Sequence, residues 1–227
     1  MNSEMRSLEI PDVQSPRQWL QLGVLVLDGS GSMNEKTDGN IAKAEATALA
    51  TRELFERFKK RSACPQNFMF AVITYDDHPT PVIDPPISAT QVDETGDYNP
   101  LNGHGDGTCI YSALESAERV VEEFLARAPQ GGVPHSAVIL LMSDGLCSDP
   151  DRTREVARRI RQRFGNQVKI AAAFFATAGK PDPRGEQLLR DIVDDSETFF
   201  CSVTSGEKLR DFFKRSLSEA AGGAVVI

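Results

Sequence analysis

The chain has 227 residues, 40% of them apolar, and a formal net charge of −8. That length suffices for one large α/β domain with a well-buried core, and the acidic balance argues against broad attraction to nucleic acid or anionic membrane. No apolar run approaches the length of a membrane span, and residues 1–21 carry Glu4, Arg6, Glu9, Asp12 and Arg17 instead of the apolar core of a secretion signal, so a cytoplasmic location is expected.

In chain order, residues 1–21 read as an N-terminal extension, and a nearly unbroken apolar run from Leu22 to Leu27 follows. Continuous rather than alternating apolar character marks a strand covered on both faces. The run ends in Asp28-Gly29-Ser30-Gly31-Ser32, which hangs three oxygen-bearing side chains on alternate positions. In an extended segment these point one way, and the glycines let the backbone turn tightly. Oxygen donors without His or thiolate suit Mg²⁺, with Mn²⁺ or Ca²⁺ as alternatives.

Ile41, Ala44, Ala48, Thr51, Phe55 and Phe58 recur at helical spacing, and Phe68 to Tyr75 is a second buried-strand run. From Asp76 to Gly107 the alternation breaks in a stretch rich in Pro, Asp, Asn and Gly. A short edge strand near Thr80 to Asp84 and a helical turn after Ser88 are expected there. Asp76, Asp77 and His78 read as solvated strand-end residues rather than a second metal site, and His104 as a loop histidine.

Gly105-Asp106-Gly107-Thr108 opens a helix carrying Ile110, Leu114, Ala117, Val121 and Phe124, and Val138 to Met142 is a third strand ending in Ser143-Asp144-Gly145. Ser148 with Asp151 resembles a capping box for the helix of Val156, Ile160 and Phe164. That helix bears Arg152, Arg154, Arg158, Arg159, Arg161 and Arg163; without interleaved aromatics they read as a solvated face rather than an RNA-binding one. Ile170 to Phe175 and a weaker run at Thr198 to Val203 complete the strands. Thr204 with Glu207 caps a last helix of Leu209, Phe212, Phe213 and Leu217, and residues 220–227 form a tail. Cys64, Cys109, Cys147 and Cys201 lack Cys-x-x-Cys spacing and read as idle thiols, although Cys109 and Cys147 flank two of the loops above.

Strands alternating with helices imply a parallel sheet in a doubly wound, three-layer αβα (Rossmann-like) domain over residues 22–219. Such sheets bind ligands beyond the carboxyl ends of their strands, where Asp28, Thr108 and Asp144 all fall.

These residues resemble the von Willebrand factor type A (vWA) family, whose metal-ion-dependent adhesion site (MIDAS) uses Asp-x-Ser-x-Ser in a first loop, Thr in a second and Asp in a third. Asp28, Ser30 and Ser32 match the first loop, Thr108 the second and Asp144 the third, and the resemblance covers roughly Leu22 to Leu217. It implies a mostly parallel six-stranded sheet with one short antiparallel edge strand. The segment from Asn34 to Asn40 is longer than the family pattern. Five side chains supply at most five oxygens to an ion that wants about six, so a position stays open for an acidic residue of another protein. The resemblance and the chain's size imply an intracellular, non-enzymatic module among tellurium- or stress-resistance systems, kinase and phosphatase partners, or ring ATPases, with no nucleic acid and no membrane as partner. The competing readings are a metal-dependent hydrolase or phosphotransfer enzyme on the same acidic rim, and a scaffold whose ion only stiffens the loops. The first lacks a second carboxylate two residues after Asp28 and a Gly-x-Ser-x-Gly elbow.

Overall fold

The computed structural model describes residues 19–127, 133–145, 147–176 and 182–222, so the proposed extension and tail lie largely outside the described residues. Six strands form one sheet in the order β3-β2-β1-β4-β5-β6: β1 Leu20–Asp28, β2 Phe68–Tyr75, β3 Pro79–Ser88, β4 His135–Ser143, β5 Val168–Phe175 and β6 Phe200–Val203. All neighbours pair in parallel except β2 with β3. The mixed α/β architecture with one antiparallel edge strand is therefore as the sequence implies.

The central strands are apolar throughout because both faces are covered. From Gln21 to Asp28 every residue of β1 is buried. Five helices do the covering: α1 Lys43–Arg61, α2 Ile110–Ala126, α3 Pro150–Phe164, α4 Pro183–Ile192 and α5 Gly206–Ala220. α1 packs on α5, while α2 packs on α3 and α3 on α4. Among the described residues no helix is long and apolar enough to cross a membrane.

Three details depart from the sequence reading. β3 runs past Asp84 to Ser88, because Ile87 pairs with Phe70 and Ser88 with Met69; its prolines 79, 81, 85 and 86 are tolerable on an edge that need not donate a full ladder. The caps of α3 and α5 sit one residue later than expected, at Asp149, which accepts from Arg152 N at 3.0 Å, and at Ser205, which accepts from Lys208 N at 3.4 Å. Pro150 at the first helical position favours the later start, and the Ser148 backbone is already committed to Thr108. Finally, α4 is a helix the periodicity did not suggest: Asp182 caps it, and Leu188, Leu189 and Ile192 bury its inner side.

Candidate metal centre

Asp28 ends β1 fully buried, beside Tyr75 at the end of β2. Its Oδ1 accepts from Ser30 N at 2.8 Å and its Oδ2 from Ser143 Oγ at 2.6 Å. Burial first, and the Asp144 carboxylate second, push its pKa up to about 6 against the pull of the Ser143 and Ser30 hydrogen bonds. The Tyr75 phenol is pushed well above its ordinary value by burial and then by Asp28. The Asp144 carboxylate opposes ionisation of Asp28, and a cation held by both would relieve that repulsion.

The first loop is not extended throughout. Ser32 lies within a 3-10 turn, Gly31–Asn34, which starts after Ser30. The turn still brings Ser30 Oγ and Ser32 Oγ to 3.1 Å, so the hydroxyls meet by curvature rather than by strand alternation. Glycine is required at position 29, where a Cβ would fall onto the Pro100 carbonyl oxygen.

The second loop is tied to the first by Gly31 N donating to Asp106 O at 3.2 Å, and to the third by Ser148 N donating to Thr108 O at 2.9 Å. Thr108 itself is buried. Asp76 anchors this loop from beneath: its Oδ2 accepts from Gly105 N at 3.2 Å and Asp106 N at 3.4 Å, its Oδ1 accepts from His78 N at 3.1 Å, and its carbonyl accepts from Cys109 N at 2.7 Å. Burial opposes ionisation here, but the His78 amide, the His104 ring and the Asp106 amide prevail and hold the Asp76 carboxyl down at about 2. Asp76 is thus a buried structural anchor, not a solvated strand end. His104 is equally buried, with Nδ1 3.0 Å from Asp76 Oδ1 and Nε2 3.0 Å from Thr74 Oγ1. Thr74, His104 and Asp76 have the order of a nucleophile–base–acid relay. Thr74 is only 3% exposed, however, so no substrate reaches its hydroxyl.

On the third loop, Asp144 follows β4, and Gly145 at φ +106° lets this turn press against Gly185 of α4. A residue the sequence reading passed over completes the site: Lys43, 1% exposed, places its Nζ 2.9 Å from Asp144 Oδ2 and 3.4 Å from Glu35 Oε2. Its only sequence signal is a lysine at a helix start, too common to single out.

The structure thus gathers the loops of all five predicted residues, Asp28, Ser30, Ser32, Thr108 and Asp144, on one edge of the sheet. Among the described residues no three His, Cys, Asp or Glu side chains converge as a metal group. Two carboxylates and three hydroxyls fit a hard divalent cation. Cys109 and Cys147 are free thiols turned to other partners, Cys109 Sγ to Ser148 Oγ at 3.1 Å and Cys147 Sγ to Thr153 Oγ1 at 3.2 Å. They form no pair at the rim.

The model of the von Willebrand factor type A domain matches residues 24–215. The chain belongs to this family. No curated protein sequence matches it. Among solved structures, the vWA fold recurs in the pilus adhesin SpaC from Lactobacillus rhamnosus GG, at 11% identity and a TM-score of 0.69, over 93% of this chain and 31% of that one. It recurs in the vWF domain of the type V pili tip protein Mfa5 from Porphyromonas gingivalis, at 12% and 0.66, over 91% of this chain and 96% of that one. Proximal thread matrix protein 1 from the mussel byssus, in a structure whose MIDAS motif holds zinc, matches at 19% and 0.55, over 89% of this chain and 46% of that one. At such identities the likeness is one of fold, and the vWA chain spans only 31% and 46% of the first two solved structures it matches.

Proposed function

We propose that this vWA domain is a metal-dependent protein-binding module: Asp28, Ser30, Ser32, Thr108 and Asp144 hold a divalent cation, Mg²⁺ in the first place, and the loaded site captures an Asp or Glu side chain of a partner protein. The observation that carries this reading is that hydrogen bonds tie together the three loops that bear these two carboxylates and three hydroxyls: Gly31 N to Asp106 O, Ser148 N to Thr108 O, and Ser143 Oγ to Asp28. Asp28 and Asp144 bring the negative charge that retains the ion. Ser30, Ser32 and Thr108 bring neutral oxygens, which leave the ion's positive charge incompletely offset. When bound, the cation supplies a positive centre with a coordination position open to a carboxylate.

A binding role without turnover is supported by the closed Thr74-His104-Asp76 chain and by the solved structures that share the fold, an adhesin, a pilus tip protein and a matrix protein. A cytoplasmic setting beside kinase, phosphatase, ring-ATPase or tellurium- and stress-resistance partners is the finer part of the proposal and rests on sequence resemblance. The test is capture of partners from the native source with Mg²⁺ or EDTA, using wild type and Asp28→Asn. Capture is expected with Mg²⁺ and wild type alone. Unchanged capture in EDTA overturns the metal dependence, and turnover of generic phosphate esters overturns the binding-only role.

A further inference from the structure

Lys43 is in an unfavourable place for a lysine. It is the first residue of α1, where the helix dipole presents its positive end, and its side chain is 1% exposed. Burying an ammonium is costly unless it is paired, and removing either member of such a pair leaves a bare buried charge. Its position therefore needs compensation, and two carboxylates supply it. Asp144 accepts from Nζ at 2.9 Å and Glu35 at 3.4 Å.

The chain also fixes where that ammonium sits. Lys43 N donates to Glu35 O at 2.9 Å, and Lys36 bridges to Ala42, so the long segment after the first loop folds back as a closed hairpin-like turn delivering Lys43 to the third loop. The contact takes Asp144 Oδ2, a side chain that the metal reading assigns to the cation.

We propose that Lys43 is a built-in counter-ion of the metal centre, which holds Asp144 in place before metal arrives and lowers the affinity of the site for divalent cations. This rests on the metal-binding reading above. The fixed positive charge neutralises Asp144 in the metal-free protein and repels an incoming cation across the same carboxylate, with little water to screen it.

The test is Mn²⁺ binding, read by calorimetry and by the loss of the free-ion resonance signal, in wild type, Lys43→Met and Lys43→Arg. Lys43→Met is expected to bind Mn²⁺ more tightly, by about ten-fold or more, and Lys43→Arg within about two-fold of wild type, because charge and not shape sets the effect. Equal or weaker binding by Lys43→Met overturns the inference, since a lysine that merely positioned Asp144 would leave the site looser when removed. Should Lys43→Met prove unstable without metal, its midpoint of thermal unfolding is compared with and without Mn²⁺. A larger metal-induced rise than in wild type supports the inference, and an equal or smaller one overturns it. If wild type binds Mn²⁺ and Lys43→Met binds no tighter, only this inference falls. If neither binds, the metal-centre reading falls and takes the inference with it.

Discussion

Asp28 carries opposing demands at the scale of a single residue. Its carboxylate is buried, faces Asp144 and ionises only near pH 6, so at neutral pH it strains the metal-free fold while remaining the charge that a cation needs. Asp28→Asn removes the charge and keeps the shape. Metal binding is expected to be abolished, while metal-free thermal stability at pH 7 stays equal or rises; a fall of more than a few degrees in the melting midpoint would contradict this account. Asp76 is the reverse case. Its folded pKa of about 2 lies below the ordinary 3.8, so its contribution is complete above the ordinary value and is lost as pH falls through the folded one. Between about pH 4 and pH 2 wild type should lose about 1–2 kcal/mol that Asp76→Asn never had, and the two proteins should converge at the acid end. Thermal melts across that window check it, and parallel curves for the two proteins would exclude the anchor role. From sequence, Asp28 is conspicuous because it stands in a patterned motif. Asp76 is not, since its partners, the amides of Gly105 and Asp106, are remote in the chain and carry no side-chain signature.

The arginines of α3 show what an element does that its composition does not reveal. They are only half solvated, and several are clamps. Arg159 and Arg163 converge on Glu118 of α2, whose side chain is 7% exposed, while Arg154 bonds Asp191 and Arg161 bonds the carbonyls of Ile192 and Val193 at the end of α4. α3 is therefore stitched to both neighbours in its layer. Glu118→Ala frees two arginines into solvent, where they are readily hydrated, so the cost is modest: about 1 kcal/mol, or a drop of roughly 2–4 °C in melting midpoint. Unfolding of Glu118→Ala followed by circular dichroism checks this, and an unchanged midpoint would make the clamp decorative. Elements themselves were legible where burial is two-sided. β1, β2, β4 and β5 stand out as unbroken apolar runs because no solvent face imposes alternation. α4 was not, because ten residues hold too few turns for a stripe to repeat. The α3 cap falls at Asp149 rather than Ser148 because the Ser148 amide and hydroxyl are engaged by Thr108 and Cys109 of the second loop.

For the whole molecule, the question is what a cation adds to a fold already closed by its own hydrogen bonds. The site exists only in the folded chain. Asp28 and Ser143, which share a 2.6 Å hydrogen bond, are 115 positions apart, and the unfolded chain brings no two of the three loops together. A ligand that binds the native state alone stabilises it by mass action, by about 2.7 kcal/mol at a metal concentration one hundred times the dissociation constant. For a domain of this size that corresponds to a rise of roughly 5–10 °C in melting midpoint. The rise should grow with the logarithm of metal concentration, vanish in EDTA, and be lost in Thr108→Ala and in Asp144→Asn. Glu118→Ala, lying on the α2–α3 contact away from the loops, should melt lower yet show the full metal-induced rise, which separates general weakening from damage to the site. A rise that persists at full size in Thr108→Ala and Asp144→Asn together would mean that the cation binds elsewhere, and the convergence of the three loops would then need another explanation.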